Sequence, residues 1–183
     1  IARENNCRSH IDGARIFNAS ISSSLSPKRM AREYDSISVC LSKGLGAPVG
    51  SVLVGSTETL YKAHRWRKMF GGGMRQAGVL AAAGIYSLEN NIDRLSEDHD
   101  RAMEIATALD RMDSYEVDLE QVQTNMVYVK CDKGGAEALI SRLERMGIQA
   151  LTIDSSTIRI VTHLHITDDD VQRTISALDS AQL

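Results

Sequence analysis

The sequence lacks a long apolar run and lacks an excess of positive charge. No apolar stretch in its 183 residues approaches the ~20 residues that a membrane-spanning helix needs. Acidic residues slightly outnumber basic ones, which gives a formal net charge of −3. Proteins that bind nucleic acids or membrane surfaces usually carry a basic patch, and this composition offers none. We therefore expect neither a nucleic acid nor a membrane among the partners of the protein.

Cysteine is also scarce, and its placement narrows the class of protein. The three cysteines, Cys7, Cys40 and Cys131, each fall in an apolar segment that is typical of a β-strand. An odd number of cysteines in such segments indicates reduced core thiols in a cytoplasmic protein. Their spacing does not match that of metal ligands. The sequence thus predicts free thiols, a cytoplasmic location and no metal site.

The sequence does contain an alternation of strand-like and helix-like segments, which predicts an α/β fold. Strands are predicted at residues 7–11, 36–41, 50–55, 117–119, 126–131, 149–153 and 157–161. Helices are predicted at 57–69 with Thr57 as a cap, at 75–90, 92–112 and 134–146, and from Thr167 onward. Asp168, Asp169 and Asp170 fall in the first turn of this last helix, where the helix dipole favours negative charge. We expect a domain boundary near Asp113, with domains at 1–112 and 113–183.

The lysine at position 43 stands at the end of an apolar strand, at the point where a tight loop begins. Gly44, Gly46 and Gly50 surround it, and Pro48 stiffens the loop. Glycines at this density usually mark positive φ angles or a close approach of the backbone. A lysine held in a dry pocket loses part of its proton affinity and can attack a carbonyl group. The pattern favours such a reactive amine over the alternative, an ordinary exposed turn lysine.

A carboxylate near another predicted strand end complements this amine. His10 and Asp12 are two positions apart, so on a strand they face the same side, and Gly13 then allows the chain to turn. A carboxylate that pairs with a pyridinium nitrogen, together with a lysine that holds an aldehyde as a Schiff base, is what pyridoxal 5'-phosphate requires. His10 has two interpretations: it supports Asp12 by a hydrogen bond, or it is a satisfied core histidine.

Four motifs occur in an order that carries a family resemblance. The sequence closely resembles the low-specificity L-threonine aldolases, which are fold type I pyridoxal phosphate enzymes. The segments that carry the resemblance are His10–Arg15, Ser42–Ser51, Arg67–Gly78 and Ile158–His163. The resemblance implies that residues 1–112 are part of a transferase-like large domain and that 113–183 form a small C-terminal α/β domain. Because the family's polypeptide is longer at its N-terminus, we expect this chain to correspond to the C-terminal half of a subunit.

The resemblance also implies roles for individual residues. Lys43 is expected to be the catalytic Schiff-base lysine, Asp12 the partner of the pyridinium nitrogen, and His10 a further cofactor-binding residue. Arg15 and Arg159 are expected to grip the substrate carboxylate, since a guanidinium fork matches carboxylate geometry. The alternative for Arg159 is a strand arginine that faces water.

The glycine-rich motif Gly71–Gly73 is expected to belong to the cofactor site as well. Backbone N–H groups beside a helix start form an anion site, so Arg75 is expected to bind the cofactor phosphate. Lys68 is expected to add to the same positive region. The alternative is a glycine hinge followed by a surface arginine.

The activity that the resemblance implies is retro-aldol cleavage of a β-hydroxy-α-amino acid. L-threonine or L-allo-threonine would yield glycine and acetaldehyde, and the family forms homotetramers with sites shared between subunits. The general base is not identifiable in this sequence. Two alternatives stay open: another fold type I activity, such as a β-eliminating lyase or an aminotransferase, and a folded fragment without activity of its own.

Overall fold

A computed structural model describes residues 1–132 and 135–181. The chain divides into two compact units, Ile1–Asp93 and Arg94–Leu183. After a 3₁₀ turn at Arg3–Asn5, the first unit contains β1 (His10–Gly13), α1 (Ile16–Ser23), α2 (Pro27–Ala31), β2 (Ser36–Cys40), β3 (Ser51–Gly55), α3 (Thr57–Met69) and α4 (Gly78–Asn90). The second contains α5 (Leu95–Leu109), a 3₁₀ turn (Leu119–Gln121), β4 (Met126–Lys130), α6 (Gly135–Arg145), β5 (Leu151–Thr152), β6 (Thr157–Val161) and α7 (Asp168–Ser180).

The sheet of the first unit has the strand order β1-β2-β3. β1 and β2 are parallel, with Asp12 opposite Ser38, and β3 returns antiparallel to β2. Gly13 allows the two parallel strands to approach, because a Cβ at this position would lie 2.7 Å from the carbonyl oxygen of Ser38. The carboxyl ends of β1 and β2 therefore meet at one edge of the sheet, where their following loops can share a site.

β3 lies at the side of this sheet, and both of its faces are open. Val52, Leu53 and Val54 are 43%, 37% and 50% exposed, although successive side chains of a strand point to opposite faces. β3 has β2 as its only strand neighbour among the described residues. Its apolar side chains thus find little cover within the first unit.

The second unit has an antiparallel sheet with the order β4-β6-β5. Val127 and Val129 of β4 and Ile158 of β6 are fully buried, and they face a core to which Leu109 of α5 and Leu178 of α7 contribute. The residues between them on the strands point to the other face of the sheet. The alternation therefore gives this sheet one core face and one outer face.

The structure confirms the predicted α/β class and several elements. β2, β4 and β6 lie where the sequence placed strands. Thr167 caps α7 as predicted: its Oγ1 accepts a hydrogen bond from the backbone N–H of Asp170, and the Asp170 carboxylate accepts one from the backbone N–H of Thr167. This reciprocal pair satisfies two N–H groups that a helix start otherwise leaves unpaired.

Other predicted elements were wrong in position or kind. The first strand is His10–Gly13 rather than 7–11, because Ser9 bonds to the Asp35 side chain through its backbone N–H at 2.7 Å. Residues 117–119 form no strand; only Glu116 makes a single bridge, to Lys130, before a 3₁₀ turn.

Three further differences concern helices and thiols. α1 and α2 were not predicted, and α3 is capped by Ser56 rather than Thr57. Cys7 is exposed and outside any strand, which corrects its interpretation as a core thiol, whereas Cys40 and Cys131 are half-buried; all three are free.

The compact units divide between Asp93 and Arg94, whereas the sequence placed a domain boundary near Asp113. The difference is α5, which packs against α7 and β4 of the second unit. The assignment of 1–112 and 113–183 to functional domains stays a prediction. Among the described residues, no helix combines the length and the apolar character that crossing a bilayer demands.

Candidate active site

Lys43 lies on a loop that is closed at its base by backbone hydrogen bonds. The N–H of Leu41 donates to the carbonyl of Gly50 at 2.9 Å, and the N–H of Ala47 donates back to the carbonyl of Leu41 at 3.0 Å. The N–H of Gly46 donates to the carbonyl of Lys43 at 2.9 Å, and Gly46 adopts a φ of 72°. The tight loop with positive φ is therefore confirmed.

The same loop is held by contacts with α4 and with Asn91, the residue that follows α4. Leu45 is 2% exposed, and its carbonyl accepts a hydrogen bond of 2.7 Å from the Asn91 side-chain amide. Gly84 of α4 approaches so closely that an added Cβ would lie 2.9 Å from Leu41 Cδ1. These contacts hold the loop while the side chain of Lys43 itself is exposed. The dry pocket that the sequence predicted for this amine is not formed by the described residues alone.

Asp12 lies at the same sheet edge, one residue before β1 ends. Its Oδ1 accepts a hydrogen bond of 3.2 Å from the backbone N–H of Ala14, which fixes the turn that follows Gly13. The carboxylate is exposed. Because β1 and β2 are parallel neighbours, Asp12 near the end of β1 and the Lys43 loop after β2 lie at the same edge of the sheet.

His10 does not play either of the two parts expected from the sequence. Its ring nitrogen Nδ1 lies 2.9 Å from the hydroxyl oxygen of Ser36 on β2, and no hydrogen bond to Asp12 is formed among the described residues. The side chain is exposed rather than part of the core. Its role in cofactor binding stays a prediction.

The two predicted carboxylate-binding arginines belong to different units. Arg15 is the residue before α1 and is partly buried. Arg159 is on β6, the middle strand of the second sheet, and is also partly buried. Its Nε is buried and finds no hydrogen-bond acceptor among the described residues. The expectation of an arginine that simply faces water does not describe this side chain.

The glycine-rich segment after α3 differs from the expected anion site. The N–H of Gly71 donates to the carbonyl of Lys68 at 3.2 Å, and that of Gly72 donates to the carbonyl of Arg67 at 2.8 Å. These two donors close the end of α3, so they are not free to bind an anion in this conformation. Arg75 is exposed in the connection to α4, and its role in binding the cofactor phosphate stays a prediction.

The sequence indicated only a core thiol at Cys40, which ends β2 beside the lysine loop. Burial alone would raise the pKa of this thiol, but hydrogen bonds from Ser42 and Ser51 and the positive charge of Lys43 lower the pKa overall. The Sγ lies 3.5 Å from the Ser42 hydroxyl. A sequence signal existed in the short spacing between Cys40, Ser42 and Lys43.

The second unit holds a buried polar network at the end of β6. Asp98 is fully buried and accepts two hydrogen bonds from the Arg94 guanidinium, at 2.6 and 3.1 Å. Thr162 donates from its hydroxyl to the backbone carbonyl of Asp98 at 2.6 Å, and the Asn125 amide donates to the carbonyl of Thr162 at 2.7 Å. This network fixes the end of the strand that carries Arg159.

Two other features of the described residues bear on ligand binding. A cavity of about 530 Å³ in the second unit is lined in part by His163, His165 and Arg173, and its lining includes no predicted site residue. Within the described ranges, no group of three or more histidine, cysteine, aspartate or glutamate side chains is arranged to hold a metal ion.

Comparison with known proteins gives several relatives that are named low-specificity L-threonine aldolases. The chain is 45% identical over 186 residues to low-specificity L-threonine aldolase 1 of Arabidopsis thaliana, a match that covers 100% of this chain and 52% of that relative. It is 45% identical over 169 residues to the low specificity L-threonine aldolase of Escherichia coli K12, with 92% and 49% covered. The chain thus spans about half the length of the curated relatives it matches.

A solved structure and a family model agree with these relatives. A structure of threonine aldolase from Leishmania major matches with a TM-score of 0.78 at 17% identity, over 100% of this chain and 54% of that chain, which establishes a common fold. The family model described as beta-eliminating lyase matches residues 1–132. On these grounds, the chain belongs to the beta-eliminating lyase family.

Proposed function

We propose that this chain supplies part of the active site of a pyridoxal phosphate-dependent aldolase, which cleaves L-threonine and L-allo-threonine to glycine and acetaldehyde. The observation that carries the proposal is the parallel pairing of β1 and β2, which brings Asp12 and the loop of Lys43 to one sheet edge. An amine and a carboxylate at such an edge fit the aldehyde and the ring nitrogen of the cofactor. The names and the identities of the relatives from Arabidopsis thaliana and Escherichia coli support the choice of reaction.

Each residue has a defined task in this proposal. The cofactor, when bound, supplies an electron sink for the carbanion that bond cleavage leaves on the substrate. Lys43 holds the cofactor through its ε-amino group, and Asp12 keeps the ring nitrogen protonated. Arg15 and Arg159 bind the substrate carboxylate and thereby set which bond at the substrate Cα can break.

Arg75, His10 and Lys68 have secondary tasks. Arg75 binds the cofactor phosphate through its guanidinium, Lys68 adds positive charge nearby, and His10 contributes at the β1 side of the cofactor. The base that removes the β-hydroxyl proton lies, in this proposal, in a region equivalent to the half of the relatives that this chain does not match.

The assembly that carries the activity is proposed to be a cytoplasmic homotetramer with sites shared between subunits. Exposed aromatic side chains on and after α3 support a partner surface, since Trp66 and Phe70 are 54% and 81% exposed. A contiguous exposed apolar surface of this kind usually marks an interaction site. Native mass spectrometry of the full-length subunit tests the tetramer, and a monomer would contradict it.

A second candidate reaction is β-elimination, which the description of the matching family model favours. The two reactions break different bonds and give different products. Retro-aldol cleavage of threonine yields glycine and acetaldehyde in equal amounts, whereas β-elimination releases the β-substituent and yields no glycine. Product analysis with L-threonine and L-allo-threonine therefore separates the two candidates.

The test of the cofactor site is reduction with borohydride followed by intact mass spectrometry. Reduction converts the link between an aldehyde and a lysine into a stable bond. We expect the full-length subunit to gain the mass of one reduced pyridoxal phosphate, mapped by peptide analysis to Lys43. The Lys43→Ala variant is the control and should gain no mass at this position. A full-length subunit without an adduct, or with the adduct on another lysine, would contradict the proposed site.

A further inference from the structure

Arg159 lies between two side chains on the outer face of the second sheet. The register places Tyr128 of β4 directly opposite Arg159 on one side, and Leu151 of β5 directly opposite on the other. Directly opposed residues of an antiparallel pair have Cβ atoms about 4.5–5.5 Å apart. Since β6 is the central strand, Arg159 has a packing neighbour on each side.

The burial pattern confirms that these three side chains share one face. Val127 and Val129, the neighbours of Tyr128 along β4, are both fully buried, and so is Ile158, which precedes Arg159. Tyr128 must therefore point to the outer face, as Arg159 does. Tyr128 and Leu151 are 46% and 54% exposed, whereas Arg159 is only partly exposed. The two flanking side chains thus stand beside the arginine on the same face.

The guanidinium that they flank has unused binding capacity. Arg159 forms no ion pair with any residue in 1–132 or 135–181, and its buried Nε has no acceptor there. A buried donor without an acceptor is costly, and an arriving carboxylate removes this cost. The Arg159 guanidinium thus keeps hydrogen-bonding capacity that an anion could use.

We propose that Tyr128 is a positioning residue, whose ring holds the Arg159 guanidinium in the orientation that binds the substrate carboxylate. The inference rests on the proposed role of Arg159 as a carboxylate ligand. A planar guanidinium packs well against an aromatic ring, and a ring beside it restricts the rotation of a long side chain before the substrate arrives. Less freedom is then lost on binding, so affinity for the carboxylate rises. Leu151 performs the same packing on the opposite side.

The experiment measures equilibrium binding of glycine to the full-length holoenzyme by calorimetry, with methylamine as the matched probe that lacks a carboxylate. We expect Tyr128→Ala to weaken glycine binding about fivefold, the size of a typical cation–aromatic contact, and to leave methylamine binding unchanged. Tyr128→Phe keeps the ring and should restore glycine binding. Lys130→Ala, on the same strand and the same face two residues away, is the control and should bind glycine normally.

The double variant Tyr128→Ala/Arg159→Ala separates positioning from a general structural effect. If Tyr128 acts through Arg159, the double variant binds glycine no more weakly than Arg159→Ala does. An additive loss, an equal loss of methylamine binding, or failure of Tyr128→Phe to restore binding would overturn the inference while leaving the role of Arg159 intact. Unchanged glycine binding by Arg159→Ala would overturn the role of Arg159 itself, and the inference with it.

Discussion

The two units of this chain bury their apolar side chains to very different extents. In the second unit, Leu109, Val127, Leu143, Ile158 and Leu178 are completely buried, and three helices and a sheet share one core. In the first unit, helix α3 has no buried residue along its 13 positions, and α4 buries only Gly84 and Ser87. The second unit buries most of its apolar side chains in its own core, whereas the first unit leaves many of its apolar side chains exposed.

This difference separates two kinds of proposed site residue. Arg159 is positioned by a unit whose core is closed, so its surroundings are set within the chain. Lys43 and Asp12 are positioned by a unit whose loops are well bonded but whose outer surfaces are open. We infer that the geometry around Arg159 depends mainly on local packing, while the environment of Lys43 depends on what covers the first unit.

The largest expected effect on stability comes from breaking the buried ion pair between Arg94 and Asp98 in the second unit. Arg94→Ala leaves Asp98 fully buried without its cationic partner, and loss of one partner from a buried pair typically costs about 3–5 kcal/mol. Urea unfolding measures the change in the free energy of unfolding. Lys130→Ala, which breaks the exposed pair with Glu116, is the control and should change stability little. Equal losses of stability in the two variants would contradict the expected difference between a buried and an exposed ion pair.

The second effect concerns the parallel strands β1 and β2 of the first unit. Gly13→Ala places a Cβ 2.7 Å from the Ser38 carbonyl oxygen, a backbone atom that cannot move aside without shifting β2. We expect a loss of about 1–3 kcal/mol in the free energy of unfolding, as for other overpacked sites. If the proposed site is right, the full-length subunit should also retain less cofactor, because Asp12 lies on β1 and Lys43 lies on the loop that follows β2.

Gly78→Ala provides the matched control for this substitution. A Cβ at Gly78, the first residue of α4, meets no atom within 4 Å. Alanine is the better helix former by at most about 1 kcal/mol, so stability should stay the same or rise. A destabilising Gly78→Ala together with a neutral Gly13→Ala would show that strand approach is not what Gly13 provides.

The third effect concerns the exposed aromatic side chains of the first unit. Phe70→Ser removes an aromatic ring that is 81% exposed and stacks on Trp66 with ring centres 5.8 Å apart. Surface substitutions away from special features usually change stability by less than about 0.5 kcal/mol, so the chain alone should unfold almost as before. Association should weaken if this surface binds a partner. Analytical ultracentrifugation over a concentration series checks this, and unchanged association would count against a partner surface at Phe70.

The smallest effect is a pH dependence of stability that arises from His99 in the second unit. Burial lowers the pKa of His99 from its usual 6.5, and the Asp98 and Asp100 carboxylates offset this only in part. The unfolded chain therefore takes up this proton first as the pH falls, so stability is present above 6.5 and is lost as the pH falls from there toward the folded-state pKa. His99→Gln should flatten this slope in urea unfolding between pH 7.5 and 5.5.

His64→Gln, at an exposed position of α3, is the control for the pH series. It should leave the slope as it is in the unaltered chain. The opposite result, a pH dependence of stability that persists in His99→Gln and disappears in His64→Gln, would contradict the prediction. It would place the titrating histidine in the first unit.

The features predicted well from the sequence are those that short-range chemistry determines. Thr167 and Asp170 form a cap from residues three positions apart, and the loop of Lys43 follows from its own glycines. β4 and β6 follow from the alternation of apolar residues. Each of these signals is complete within about ten residues, so distant contacts are not needed to interpret them.

The features that were missed depend on contacts between distant residues. Ser9 is drawn from the predicted strand by Asp35, and the Gly71 and Gly72 donors are used by the end of α3 rather than by a ligand. The buried pair of Arg94 and Asp98 reads in the sequence as an ordinary exposed helix pair. Whether such a pair is buried, and whether Lys43 is covered, is decided by packing that the local pattern does not contain.

The open side of β3 has a consequence for the handling of the chain in solution. Val52, Leu53 and Val54 present apolar side chains on both faces of a strand that has β2 as its one strand neighbour in the described part of the chain. A strand with unpaired backbone groups and no charged residue in its length is a template for edge-to-edge growth. A lysine at one of these positions would act as a gatekeeper against such growth. A segment or subunit that covered β3 would thus protect the chain against aggregation.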